Sequence, residues 1–373
     1  MIPPESLTSS AIEGEFPGDV SWLLPEKRHP YYIVAPRYVR TSAGIKVLHL
    51  LCHALNRLGE RAYLITYPYY PPAYATNPEL NTPLLTQRVL EYDFEAGLAP
   101  IVVYPETVPG NPFHASFVVR YVLNFPGLLG GDTTYGEDEF CVAYSEHLAK
   151  SVCNSRLTLF LPASDPRVFH PYPRVPRKGS CFYAGKYKYH HGGGLYEITN
   201  NSVEITRDQP DSPTPGQIAD LFRRSEIFYT YENTALAIEA LLCECPVIFL
   251  PNPYLDHIIG IEEHGWDGIA WGHDDGEIAR AKSTVHNASE HYLGLFAVFS
   301  KMLREFVAQT QDAADQRSYQ EPLVIPQVRV PSFCIRIGET FQMGHHMLLD
   351  RGFLETSKRA IKKILSRSSK THL

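Results

Sequence analysis

The sequence contains no apolar run approaching the length of a membrane span, so nothing in it reads as a transmembrane helix. Its opening stretch, MIPPESLTSSAIEGEFPGD, is polar and acidic and lacks the basic start and apolar centre of a secretory leader. The expectation is a protein made and kept in the cytoplasm. Positive charge is also short: the formal net charge is −7, which argues against a general nucleic-acid binder, because that function needs a basic footprint. The seven cysteines are odd in number, lie mostly in apolar runs and form no zinc-type pair of pairs. They read as buried, reduced thiols. Cys243 and Cys245 are the only close pair, at a helix-to-strand junction where packing is the plain reading. No internal repeat and no low-complexity tract occurs. No metal and no cofactor is expected.

What is present is a chain of 373 residues, long enough for two domains with separate cores. A content of 44% hydrophobic and 20% charged residues is that of a soluble globular protein. Thirty prolines and 23 tyrosines point to long, well-fixed loops with aromatic faces.

Residues 1–28 read as an N-terminal arm. Tyr31-Tyr32-Ile33-Val34-Ala35 is the first strand, and a loop carrying Thr41 to Gly44 follows it. The helix after that buries Ile45, Leu48, Leu51, Cys52, Leu55 and Leu58 and stops at Gly59. Ala62–Thr66 is the next strand. At its end Tyr67 to Tyr74, with Tyr69 and Tyr70 at the centre, is a rigid Pro-Tyr loop: either a platform for sugar rings or an ordinary surface turn. Ile101–Tyr104 is a buried strand, His114 to Leu123 reads as a helix, and Phe140–Tyr144 closes the first set of strands. Leu157 to Pro171 looks like a crossover into a proline-rich linker. Beyond it come a strand at Cys181–Ala184, then Gly185-Lys186-Tyr187-Lys188, a strand at Val203–Thr206 and a helix at Thr214–Arg224. Asp274 to Gln311 is largely helical.

The stretch around which the rest is organised is FYTYENTALAIEALLCECPVIFLPN, Phe228 to Asn252. It reads as strand, polar break, helix and strand, with Asn233 or Thr234 at the N-cap position. A helix opening directly after a parallel strand aims its free N–H groups out of the carboxyl edge of the sheet, where anions bind. Glu239-Ala240 followed by Cys245-Pro246-Val247-Ile248 resembles the donor-site motif of retaining GT-B glycosyltransferases. Glu232 and Glu239 enclose six residues, one fewer than that family's spacing, which would put Tyr231 at the first position. The second glutamate's role therefore transfers to Glu239 more directly than the first transfers to Glu232.

The resemblance implies an α/β fold of two Rossmann-like domains facing across a cleft, with the nucleotide held mainly by the second. It implies residues 29–160 as an acceptor-side domain and 161–178 as linker. Residues 179–315 would be the donor domain and 316–373 a crossover segment with a basic tail. It implies transfer of a sugar from a nucleotide diphosphate to a glycan or lipid-linked acceptor, with retention. Donor contacts would come from Gly44, Gly185, Lys188, Tyr231, Asn233, Thr234, Ala235 and Glu239. Lys186 would counter the charge on the leaving diphosphate, with Glu232 in the first carboxylate position. Lys188 is open to the plain reading of a solvated loop lysine. In the first domain His114 and Glu106 are cleft candidates, His114 as hydrogen-bonding partner and Glu106 as the best carboxylate on the acceptor side; a general base there would mean inversion at the anomeric carbon, and without one the leaving diphosphate takes the acceptor proton, as the resemblance implies.

His190 to Gly194, HHGGG, lacks both a metal-ligand set and the lysine and hydroxyl of a P-loop, and reads as a cleft-edge loop. Two other functions stay open: a sugar-nucleotide 2-epimerase of the same architecture, and a non-catalytic binding scaffold. From Asp350 on there are seven Lys or Arg residues against two acids, with Phe353, Leu354, Ile361, Ile364 and Leu365 on one helical face. That tail either meets an anionic membrane surface or packs back on the first domain. Membrane contact would suit a lipid-carried acceptor, as in assembly of bacterial surface polysaccharide.

Overall fold

The computed structural model describes residues 27–67, 75–172, 176–207 and 212–325. Most of the N-terminal arm, the Tyr69–Tyr70 loop and the basic C-terminal tail lie outside the described residues.

The first sheet is built from β1 (Tyr31–Ala35), β2 (Ala62–Thr66), β3 (Ile101–Pro105), β4 (Phe117–Val122), β5 (Phe140–Ala143) and β6 (Ser155–Thr158). It is parallel throughout, in the order β2-β1-β3-β4-β5-β6. Strands covered on both faces need apolar side chains at successive positions, and every residue of β1, β3, β4 and β5 is buried. Helix α1 (Ala43–Leu58) lays its apolar stripe on β1 and β2, and Gly59 ends it with φ 99°, a left-handed conformation suited to glycine. Helices α2 (Gln87–Glu95) and α3 (Glu146–Lys150) complete this unit.

The second sheet contains β7 (Ser180–Tyr183), β8 (Val203–Glu204), β9 (Ile227–Thr230), β10 (Val247–Phe249) and β11 (Ile269–Trp271), again parallel, in the order β11-β10-β9-β7-β8. Its helices are α4 (Gly185–Tyr189), α5 (Pro215–Arg224), α6 (Ala235–Leu242), α7 (Ile261–His264) and α8 (Asp275–Asp315). Thr214 starts α5 through a reciprocal capping box with Gln217, and Pro215 follows at the first helical position. Both domains are thus Rossmann-like α/β units.

Three sequence expectations are corrected here. The segment read as a helix from His114 to Leu123 is strand β4, held between β3 and β5. Complete burial of its β-branched and aromatic run decided the outcome over helical spacing. Phe140–Ala143 is not the last strand of its sheet, because the half-exposed SRLT segment of β6 pairs beyond it. The return to the first domain occurs inside α8 and not after residue 315. Val285, Ala288, Tyr292 and Leu295 pack in the second domain's core, whereas Leu303, Phe306, Val307 and Ala314 join the first domain's.

The far end of α8 is fastened to β1 by polar contacts in an apolar setting. Thr310 Oγ1 donates to the Phe306 carbonyl at 2.7 Å and accepts from the Tyr31 hydroxyl at 2.8 Å. Replacing Thr310 with Val leaves a buried phenol without its partner, which costs about 1–3 kcal/mol. Urea unfolding should show that loss for Thr310→Val, with part of it recovered when Tyr31→Phe is added. Equal stability of the single and double variants would mean that the Tyr31–Thr310 bond is not what Thr310→Val loses.

Candidate active site between the two sheets

In an open parallel sheet, ligands bind outside the carboxyl ends of the strands where the strand order reverses. In the first sheet that point lies between β1 and β3, and in the second between β7 and β9. The residues following those strands are Pro36 to Gly44 and Glu106 on one side, and Gly185, Lys186 and Glu232 on the other. The two carboxyl edges face each other, because side chains from one reach the other. Arg207, beyond β8, donates to the Thr41 carbonyl at 3.0 Å, and Lys46 in α1 pairs with Glu239 in α6 at 3.6 Å.

Glu239 holds the centre of the seam. One carboxylate oxygen meets Lys46, the other meets Arg207 at 3.2 Å, and only 6% of its side chain is exposed. Burial holds the Lys46 ammonium's pKa below the usual lysine range, with Glu239 pulling it back up. The carboxylate expected among the donor contacts is therefore already held by two cations, one from each domain. Neither cation stood out in the sequence. Lys46 did carry a signal: a lysine in the opening turns of a helix has the wrong sign for the helix dipole, and the first turn of α1 has no acid to offset it. Arg207 follows a two-residue strand and carries no motif.

Glu232 sits at the other switch point. Its Oε2 accepts the Lys186 backbone N–H at 2.9 Å. Loss of water raises its carboxyl above the ordinary glutamate range, against the pull of the Lys186 charge and the N–H groups of Lys186 and Tyr187. Gly185 has φ 32°, and a Cβ there would stand 2.5 Å from Glu232 Oε1 and 2.6 Å from the Tyr183 ring. Glycine at 185 is thus required by the glutamate beneath it. Lys186 is exposed above this contact. Thr234 is the N-cap of α6: its hydroxyl accepts from Leu236 N–H and its carbonyl from Ala237 N–H. That leaves the Ala235 N–H without a partner among the described residues.

Several expected donor contacts have other work. The Tyr231 hydroxyl is buried against Thr199 and the Tyr196 N–H, so Glu232 is the candidate for the first carboxylate position. Asn233 ties down the loop after β10, donating to the His257 carbonyl at 3.1 Å and accepting from Ile259 N–H at 2.9 Å. Lys188 lies in α4 rather than a loop, and its ammonium meets Glu204 at 2.7 Å. Gly44 lies in the first turn of α1, where an added Cβ would make only an ordinary contact with Leu123 at 3.6 Å.

On the first domain, Glu106 is buried at the end of β3 and accepts the Leu123 N–H at 3.0 Å. Burial raises its carboxyl above the ordinary range. His114 is not brought to this edge: it is exposed, has φ 54°, and stands three residues before Phe117, which pairs with Ile101 at the amino edge of the sheet. A second contact across the seam stacks His147 on His257 at 4.7 Å, with Phe125 edge-on to His257 at 4.6 Å. Glu263 accepts the Glu146 N–H there at 2.8 Å. Among the described residues, no three of His, Cys, Asp and Glu come together as a metal-ligand set.

No family profile matches the chain, and no curated protein matches it in sequence. Among solved structures it is similar to a glycosyltransferase from Rickettsia africae ESF-5, at 12% identity and a TM-score of 0.47, over 78% of this chain and 100% of that one. It is similar to the glycosyltransferase SnogD from Streptomyces nogalater at 14% identity and 0.40, over 78% and 100%. The catalytic domain of starch synthase IV from Arabidopsis thaliana follows at 9% identity and 0.34, over 78% and 99%.

Two measurements check this geometry. Glu239→Ala strands two buried cations without a counter-charge, and breaking such a cluster costs roughly 3–5 kcal/mol in denaturant unfolding. A loss near zero would show the cluster to be hydrated. The second concerns pH. Glu106 titrates above its unfolded value, so the native state holds the proton longer, and wild-type stability falls as pH rises through the folded pKa. Glu106→Gln keeps an acceptor for Leu123 N–H and lacks that titration. Its stability relative to wild type should rise between acid and neutral pH, and a pH-independent difference would remove the assignment.

Proposed function

We propose that the protein is a glycosyltransferase that moves a sugar from a nucleotide-diphosphate donor to an acceptor hydroxyl with retention. The observation that carries this is the charge balance at the closed seam. Lys46 and Arg207, from opposite domains, share the single carboxylate of Glu239. Entry of a diphosphate between them supplies the missing negative charge, and Glu239 is released to accept from the ribose hydroxyls.

The chemistry follows from the same groups. The bond between the anomeric carbon and the diphosphate oxygen breaks, and the acceptor oxygen forms its bond on the same face. Charge grows on the departing diphosphate. Lys186, Arg207 and the Ala235 N–H stand in place before the reaction to stabilise it. Glu106 is buried with one oxygen held by the Leu123 N–H, so in this reading the acceptor proton passes to a phosphate oxygen of the leaving group. Glu232, which braces the backbone under Lys186, sets the position of that cation. A glycan or a lipid-linked acceptor in surface-polysaccharide assembly is the setting this reading implies. The basic sequence after Asp350 would add contact with an anionic membrane.

A thermal-shift screen of nucleotide-sugars tests the donor, since a ligand at a hundredfold excess over its dissociation constant stabilises by about 2.7 kcal/mol. Lys46→Met leaves Arg207 and Glu239 as a neutral pair, so the fold should persist while the nucleotide-diphosphate shift shrinks. Lys186→Ala should lower turnover more than donor affinity, because the diphosphate charge peaks in the transition state. If no nucleotide-sugar stabilises the chain and none is hydrolysed slowly in the absence of acceptor, the transferase reading fails and a scaffold remains.

A further inference from the structure

At the lip of the first domain, beside Glu106, two leucines are held out into water. Leu128 is 65% exposed and Leu129 47%. They are the central residues of a tight turn whose ends, Gly127 and Gly130, pair as an antiparallel bridge. Gly127, Gly130 and Gly131 have φ of 82°, 94° and 80°, a region that excludes most other residues.

The base of the turn is closely packed. A Cβ on Gly131 would lie 1.9 Å from the Glu106 carbonyl oxygen, and one on Gly127 would lie 2.6 Å from Thr133. Asp132 accepts the Gly110 N–H at 2.6 Å, and buried Arg120 donates to the Val108 and Gly110 carbonyls at 2.6 and 2.8 Å. On the other flank the Leu128 N–H donates to the Phe125 carbonyl at 3.1 Å, and the Phe125 ring meets His257 of the second domain. The turn is thus locked against the end of β3 on one side and the interdomain seam on the other. The leucines have no route back into the core.

We propose that Leu128 and Leu129 are the contact for an uncharged alkyl or aryl part of the acceptor, whose hydroxyl-bearing head enters the cleft beside Glu106. This rests on the transferase reading above. Two side chains are too few for a stable protein interface, which buries about 1,200 Å² or more. Asp132, Glu137 and Asp138 follow in the same loop and repel an anionic bilayer. An apolar group carried to the cleft mouth by the acceptor itself satisfies the position, the size and the charge of the patch.

Octyl and methyl β-glucoside, both below micelle-forming concentrations, are the probes, titrated calorimetrically into the full chain. Each methylene in contact is worth roughly fourfold in affinity, so octyl glucoside should bind at least about tenfold tighter than methyl glucoside. The double variant Leu128→Ser, Leu129→Ser should lose that preference with its melting temperature unchanged. Equal affinities in the wild type, no binding of octyl glucoside, or a preference that survives the double variant would each overturn the proposal. Sedimentation with phosphatidylcholine vesicles that depends on the two leucines, in a chain with no octyl preference, would make the turn a membrane wedge and also overturn it. An octyl preference lost in the double variant, in a chain stabilised by no nucleotide-sugar, would uphold the apolar contact and remove the transferase reading instead.

Discussion

The Lys46–Glu239–Arg207 contact is the constraint on which the arrangement of the domains turns. Buried charges are expensive to desolvate, and a triad of this kind contributes little net stability even when its geometry is good. Its effect is on specificity of position. Lys46 is fixed by α1 packing on β1, Glu239 by α6 packing under β9, and Arg207 by its bond to the Thr41 carbonyl. For all three to be satisfied at once the two carboxyl edges must face each other in one relative placement. The same triad holds two positive charges and one negative in a buried site, so its net charge is positive.

Helix α8 provides the complementary restraint. It packs in both cores, and Gln311 and Asp315 at its far end hold His29, just ahead of β1. A single helix crossing between domains permits rotation about its middle more readily than separation. The contact of Phe125 and His147 with His257 lies on the loop after β10, which Asn233 ties to the start of α6. Movement of the second domain is thereby coupled to the N-terminus of α6.

Much of this was legible in the sequence. The apolar runs of β1, β3 and β10, the start of α5 at Thr214 and Pro215 and the Thr234 cap of α6 follow from local chemistry that tertiary packing reinforces. The site was legible only in part. Gly185, Lys186 and Glu232 are close in space because β7 and β9 are neighbours, and the strand-helix pattern predicts that. Tyr231 and Asn233 flank Glu232 in sequence, but alternation of side chains sends the Tyr231 hydroxyl to Thr199, and Asn233 serves a loop 24 residues away. His114 was misplaced because a buried β-branched run, seen without its neighbouring strands, has no period that separates strand from helix. Lys46 and Arg207 were missed because their importance is a property of the interface between domains, which no local pattern records.

The two candidate carboxyls share a feature that bears on the stereochemical course. Glu106 and Glu232 both have their pKa raised by burial, and both accept backbone N–H groups. A general base for an inverting displacement must be ionised, must reach the acceptor hydroxyl and must have a free lone pair aimed at it. Glu106 is on the first-domain side, but it is buried and one oxygen is bonded to the Leu123 N–H. Glu232 is on the second-domain side, under the α4 backbone, and points at Gly185 and Lys186. Each is placed to brace the backbone beside it through the N–H it accepts. With both carboxyls so employed, the proposed transfer leaves the acceptor proton to the departing diphosphate, which would arrive with the donor and gain negative charge as the bond to the sugar breaks. In that proposal, proton transfer on that side of the sugar requires the acceptor to approach the face the diphosphate leaves, and that approach is the geometric basis of the proposed retention.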